Sequence, residues 1–160
     1  MPATGDYFIR IMSDEYHDVP YQIWAWWERS FSVPKTESEP NNGLATASNL
    51  GQFGVGELTG ADVDYWKIDV PAQGSFAAVV TACLAPASGQ TTLASGLKLV
   101  FRNSSGDSIL SVNGGSRGRC MNIRPLSSGQ FFFSVEASGN SGGYTLAVSY
   151  DCAPCKYTCH

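Results

Sequence analysis

Short runs of alternating apolar and polar residues, separated by glycine, serine and asparagine, recur through most of this chain of 160 residues. Such period-two runs are typical of half-buried β-strands, and their recurrence at roughly 8- to 12-residue intervals is typical of a sandwich or barrel. No stretch has the apolar spacing of a long helix, although residues 44–50 favour a short helical turn. We therefore predict an all-β fold of about eight short antiparallel strands, near residues 54–58, 64–70, 74–82, 96–102, 107–112, 117–124, 129–136 and 143–150.

One of these strands has a different pattern from the others. Residues 74–82 read GSFAAVVTA, a nearly continuous apolar run rather than an alternating one. Because a strand that is covered on both sides has no solvent face, we expect this one to be central and buried on both faces.

The composition excludes several classes of protein. Only 15% of the residues are charged, the net charge is −4, and no cluster of Lys and Arg is present to bind nucleic acid. No segment approaches the roughly 20 apolar residues that cross a bilayer. The first residues, MPATGDYFIRI, lack the basic and apolar regions of a signal peptide, so we expect a piece of a longer secreted protein.

Side chains with oxygen donors are concentrated just before the first long strand. The segment ESEPNN, residues 37–42, contains Pro40, which fixes its own φ, and two asparagines that cap their own backbone, so we expect a rigid turn. Residues of these types are usually turn formers, but their oxygens are also the hard ligands that calcium prefers. The candidate calcium ligands are Glu37, Glu39, Asn41, Asn42, Asp62 and Asp64.

The order of these motifs resembles a known family. Residues 37–42, then Gly56-Glu57-Leu58, then Asp62-x-Asp64-Tyr65-Trp66 and a strand, resemble the start of the bacterial pre-peptidase C-terminal domain, and the likeness continues to about residue 150. That family includes the collagen-binding domains of clostridial collagenases. The resemblance implies a jelly-roll-like β-sandwich, non-catalytic and attached to secreted hydrolases or other surface proteins. It also implies that the linker carries calcium ligands.

The first residues of the chain repeat a pattern found near its end. Residues 3–26 and 127–149 each read as two period-two strands joined by a polar loop. We predict an extra N-terminal β-hairpin at 1–28, a linker at 29–43, a sandwich at 44–150 and a Cys-rich tail at 151–160. The hairpin is either a remnant of a preceding similar domain or a pair of strands for assembly. The hairpin must bury its aromatic residues, either on this chain's own sandwich or on the sheet edge of a neighbouring chain. Those residues are Trp24, Trp26 and Trp27.

The five cysteines fall into two groups. Cys83 and Cys120 lie in predicted strands, and we expect them to form a disulfide if the protein is secreted, or two buried thiols if it is intracellular. The tail places three cysteines and a histidine within the last nine residues, which allows three interpretations. They are a disulfide with one thiol left over, a Cys₃His zinc site, and a covalent haem on Cys155, Cys159 and His160 with His17 as a further ligand.

A catalytic function finds little support. The chain contains no HExxH, P-loop or dinucleotide-binding motif, and its paired carboxylates fall in turns. We therefore expect a non-catalytic, extracellular binding or assembly module, whose partners are an extracellular polymer, protein or polysaccharide, or copies of itself. The alternative is a subunit of an extracellular c-type cytochrome that transfers electrons through a haem in the tail.

Overall fold

The computed structural model of this protein describes residues 34–73, 76–139 and 142–151. The predicted N-terminal hairpin with its three tryptophans, His17, the first part of the linker, and the tail from Cys152 onward lie outside the described residues. The predictions made for them, including the zinc and haem interpretations, therefore stay predictions. Within the described residues, no helix is long and apolar enough to cross a membrane.

The described residues form a β-sandwich of two five-stranded sheets. The first sheet has the order β1-β3-β12-β7-β10 and the second the order β2-β4-β11-β8-β9, while β5 and β6 form a small separate hairpin. A single turn of 3-10 helix, Leu44–Thr46, precedes β2. The strands are β1 Lys35–Thr36, β2 Ser48–Asn49, β3 Phe53–Leu58, β4 Val63–Val70, β5 Ala72–Gln73, β6 Phe76–Ala77, β7 Val79–Pro86, β8 Leu97–Arg102, β9 Ser108–Asn113, β10 Arg119–Ile123, β11 Gly129–Ala137 and β12 Gly142–Asp151.

Alternation along the strands builds one core between the two sheets. In β4, for example, every second residue from Asp64 to Val70 is buried, because successive side chains point to opposite faces of a strand. Most of the buried apolar residues of both sheets form one contiguous cluster, which does not include Val100 and Phe132. Its largest fully buried members include Trp66 and Phe101 from the second sheet and Tyr144 from the first.

The predicted sandwich is confirmed, and so are its eight antiparallel strands, which are the eight strands of five residues or more. The two-residue strands β1 and β2 were not predicted, and both pair in parallel, with β3 and β4 respectively. Strand β1 lies in the linker and brings it against β3, while β2 follows the 3-10 turn, so that each sheet gains a short edge strand.

The interpretation of residues 74–82 as one strand buried on both faces is wrong. The strand begins only at Val79 and runs to Pro86, and its residues alternate between buried and half-buried positions up to Leu84. Phe76 and Ala77 belong instead to the short hairpin that β6 forms with β5. The continuous apolar run arose because the end of one hairpin and the start of the next strand adjoin in the sequence.

A disulfide joins Cys83 of β7 to Cys120 of β10, as predicted. The two residues are direct partners in the antiparallel register, with their Cα atoms 4.0 Å apart. Cys120 is exposed and Cys83 is half-buried, so the bond lies on the outer face of the first sheet, where it ties down an edge strand.

Candidate metal centre

Backbone hydrogen bonds hold the linker against both sheets. The N–H of Glu37 donates to the carbonyl of Val55 in β3 at 3.1 Å, which continues the pairing of β1 with that strand. Four residues later, the carbonyl of Asn41 accepts a hydrogen bond from the N–H of Tyr65 in β4 at 3.0 Å. The segment between these two anchors carries the predicted ligands, so its side chains are positioned by strands of both sheets.

Three carboxylate groups converge at this place. One oxygen each from Glu37, Glu39 and Asp64 can be chosen so that all three lie within 4.8 Å of one another. Glu39 is exposed, Glu37 is half-buried and Asp64 is completely buried. The first two come from the linker and the third from β4, so the cluster joins the linker to the sandwich.

Asn41 lies among these carboxylates and is fully buried, at 0% exposure. In one orientation its Nδ2 donates to Glu37 Oε2 at 3.4 Å, and its Oδ1 faces the carboxylates of Glu39 and Asp64. In the other, the exchanged Nδ2 donates to Glu39 Oε1 and Asp64 Oδ1 at 3.2 Å each. The two ends of an amide are nearly the same size, so packing does not distinguish the two orientations. The stable orientation therefore depends on the charge of the surrounding carboxylates and of any ion bound between them.

The other two predicted ligands share a depression with Glu37 and Glu39. Asn42 and Asp62 line an open depression of about 660 Å³, together with Glu37, Glu39, Glu57, Thr59 and Ala61. Asp62 Oδ1 accepts a hydrogen bond from the N–H of Val63 at 2.9 Å, so one of its oxygens already serves the backbone. Four of the residues that line the depression are acidic.

Gly56 makes room for the cluster. It faces inward in β3, and a Cβ atom built on it would lie 2.5 Å from Glu37 Oε2 and overlap the hydroxyl of Tyr144. No larger residue fits without moving one of these groups. In addition, the N–H of the neighbouring Glu57 donates to Glu37 Oε1 at 2.7 Å, which fixes the carboxylate against β3.

A buried tyrosine that the sequence analysis did not single out supports Asp64. The hydroxyl of Tyr144 in β12 donates to Asp64 Oδ2 at 2.6 Å and accepts a hydrogen bond from Trp66 Nε1 at 2.8 Å. Burial, together with the adjacent Asp64 carboxylate, raises the pKa of Tyr144 far above its usual range, so the hydroxyl keeps its proton. One signal was available: Tyr144 shares the inward face of its strand with Leu146 and Val148, and a buried hydroxyl requires a partner.

The ionised form of Asp64 is unfavourable at this buried position. Burial raises the pKa of Asp64 from 3.8 to about 8, and the hydrogen bond and negative charge of Glu37 add to that increase. The hydrogen bond from Tyr144 opposes it, because it favours the ionised form. Without a bound cation, Asp64 therefore holds its proton near neutral pH.

The fold and the site together define a β-sandwich whose N-terminal linker carries an oxygen-rich candidate cation site. No protein-family model and no curated protein matches the chain. Among solved structures, it is similar to the pre-peptidase C-terminal domain of a collagenase from Bacillus anthracis, with 17% identity and a TM-score of 0.44 over 75% of this chain and 100% of that one. Membership of that family stays a prediction from the order of the sequence motifs between residues 37 and 150.

Proposed function

We propose that this chain is a non-catalytic module of an extracellular protein, in which a calcium ion fixes the linker to the β-sandwich. The observation that carries the proposal is the convergence of Glu37 and Glu39 from the linker with Asp64 from β4. A cation bound there would contact both parts of the chain, so its binding energy would stabilise their docked arrangement.

The donors fit calcium in their chemistry and spacing. All of them are carboxylate or amide oxygens, which are the ligands that calcium takes at 2.3 to 2.6 Å. Two oxygens bound to one calcium ion at a right angle lie about 3.3 to 3.7 Å apart. In the orientation of Asn41 that directs Oδ1 at Glu39 Oε1 and Asp64 Oδ1, the separations are 3.2 Å. A calcium ion would favour that orientation, because it replaces repulsion between oxygens with attraction to the ion.

The proposed role is structural. Glu37, Glu39, Asn41 and Asp64 would hold the ion, water would complete its six to eight ligands, and the bound charge would neutralise the three carboxylates, of which Asp64 is buried. The disulfide on the outer face of the first sheet supports an oxidising, extracellular setting, because such bonds are rare in the cytosol. The proposed partner is an extracellular polymer, either protein or polysaccharide.

Thermal unfolding of the full chain tests the calcium proposal. We expect the melting temperature to rise when calcium is added to EDTA-treated protein, and to respond much less in Asp64→Asn. Asp69→Asn is the matched control, because Asp69 is exposed on the same strand and undergoes the same change of charge. Equal responses in all three proteins would contradict the proposal.

Co-sedimentation tests the polymer proposal separately. The full chain is mixed with insoluble collagen, cellulose or chitin, and the bound fraction is measured with calcium and with EDTA. We expect saturable binding to one class of polymer. Failure to bind any of these polymers would contradict the proposed partner and would not affect the calcium proposal.

A further inference from the structure

Strand β9 forms one edge of the second sheet, and β8 is its one strand partner among the described residues. Its residues read SILSVN, and five of the six are exposed. An edge strand presents N–H and C=O groups that are free to pair with another extended chain, and most proteins protect such edges with charged residues, proline or bulges.

The other edges of the described sandwich carry such protection, whereas β9 carries little. Strand β10, at the corresponding edge of the first sheet, begins with Arg119, is followed directly by Arg124, and is cross-linked to β7. Strands β1 and β2 are only two residues long. By contrast, β9 has six residues without a charge or a proline, and its one irregularity lies at its start, opposite Arg102.

Large apolar side chains are exposed on β9 and at the same end of the sandwich. Ile109 is 52% exposed and Leu110 is 40% exposed, and Leu126 in the connection from β10 to β11 is fully exposed. That connection leads into the start of β11. The start of β11 lies at the end of the second sheet where Phe132 pairs with Arg102, and Arg102 in turn pairs with the first residue of β9. The three large hydrophobic residues that are exposed in the described part of the chain therefore belong to one end of the sandwich.

We propose that β9 is a self-association edge, at which a second copy of this chain adds its own β9 in antiparallel orientation about a two-fold axis. The two five-stranded second sheets would then form one continuous sheet. Because each copy has a net charge of −4, two copies approach best where neither carries charge. Antiparallel self-pairing of SILSVN opposes uncharged residues at every position, whereas self-pairing of β10 would bring two copies of Arg119 to one interface.

Sedimentation velocity of the full-length chain tests this proposal, from low micromolar to several hundred micromolar concentration. We expect a monomer–dimer equilibrium in the wild type. Leu110→Lys places a charge on the edge and should raise the dissociation constant about tenfold or more, which corresponds to about 1.4 kcal/mol. Gln130→Lys is the matched control: it adds the same charge at an exposed position on an interior strand, and it should dimerise like the wild type.

A second variant and a second readout keep the test independent of folding. Ser111→Lys charges the same edge without removing an apolar side chain, so it should also be monomeric while it melts like the wild type. Amide hydrogen exchange of β9 should slow as concentration rises. A wild type that stays monomeric throughout would overturn the proposal. So would a dimer that survives Leu110→Lys and Ser111→Lys, or one that is lost only when residues 1–28 are removed.

Discussion

The hydroxyl of Tyr144 donates a hydrogen bond to Asp64 Oδ2 at 2.6 Å, although the two residues are 80 positions apart in the chain. The bond crosses between the sheets, since Tyr144 belongs to β12 and Asp64 to β4. It occupies one oxygen of Asp64 and leaves Oδ1 on the side of Asn41 and Glu39. An outer hydrogen bond of this kind orients a metal-binding carboxylate.

Tyr144→Phe should weaken both the fold and the proposed site. Without the hydroxyl, Trp66 Nε1 loses its buried acceptor, which costs about 1 to 3 kcal/mol of unfolding free energy. Asp64 loses its orienting donor, so we expect calcium affinity to fall about 10- to 100-fold. Urea unfolding and calcium titration measure the two effects. Tyr150→Phe on the same strand is the control, and if it reduced calcium affinity as much as Tyr144→Phe, the assigned role would be wrong.

Gly56→Ala should disrupt the site by overpacking. The added methyl group would overlap the Tyr144 hydroxyl and lie 2.5 Å from Glu37 Oε2, so one of them must move. Overpacking of this kind typically costs about 1 to 3 kcal/mol. We expect a lower melting temperature and a smaller response to calcium. Gly43→Ala is the matched control, because a Cβ there would meet no atom closer than 4.0 Å. A calcium response in Gly56→Ala equal to that of Gly43→Ala would contradict the steric account.

The stability of the calcium-free protein should fall as pH rises between about 4 and about 8. The pKa of Asp64 is 3.8 as its ordinary value and about 8 in the folded protein, because burial penalises its charge. In this window the folded state therefore binds more protons than the unfolded state, and raising the pH favours unfolding. Urea unfolding in EDTA at a series of pH values measures the effect. Asp64→Asn should flatten the profile across this window, and an unchanged profile would contradict the assignment.

Calcium should bind more tightly as pH rises through the same window, because the ion must displace the proton held by Asp64. Calcium titrations at pH 6 and pH 8 measure this competition in the wild type. An affinity that is the same at both pH values would show that no protonated carboxyl is displaced.

Removing the disulfide should destabilise the sandwich without affecting the site. The bond spans a sequence separation of 37 residues, for which loop-closure entropy predicts a loss of about 4 kcal/mol. The double variant Cys83→Ala/Cys120→Ala avoids leaving a free thiol on the sheet. We expect a lower unfolding midpoint in urea with calcium affinity retained at temperatures where the protein stays folded. A loss of calcium affinity in the folded variant would contradict the expectation that the disulfide and the calcium site are independent.

Much of the fold was predictable because the alternation of apolar and polar residues is a local property of the sequence. Each long strand carries its own period-two pattern, and the turns between strands are marked by glycine, serine and asparagine. Residues 74–82 show where this fails: a hairpin end and a strand start follow each other without a polar break, so composition alone merges them. The two-residue strands β1 and β2 are too short to show a period-two pattern, so their pairing with β3 and β4 could not be predicted from the sequence.

The types of the candidate ligands could be predicted from the sequence, whereas the residues of other strands that position them could not. Glu37, Glu39 and Asp64 were selected as oxygen donors near a turn, and the structure brings them together. Asn42 and Asp62 were selected by the same reasoning and line the same depression as Glu37 and Glu39, although Asp62 is not one of the three converging carboxylates. Tyr144 and Gly56 act on the cluster from other strands, and only the sheet register brings them to it.

Isothermal titration of EDTA-stripped full-length protein with calcium tests the central claim most directly. We expect saturable binding of calcium by the wild type and by Asp69→Asn, and little or no binding by Asp64→Asn or Glu39→Gln under the same conditions. Absence of binding in the wild type, or wild-type affinity in both Asp64→Asn and Glu39→Gln, would contradict a calcium ion held between the linker and the sandwich.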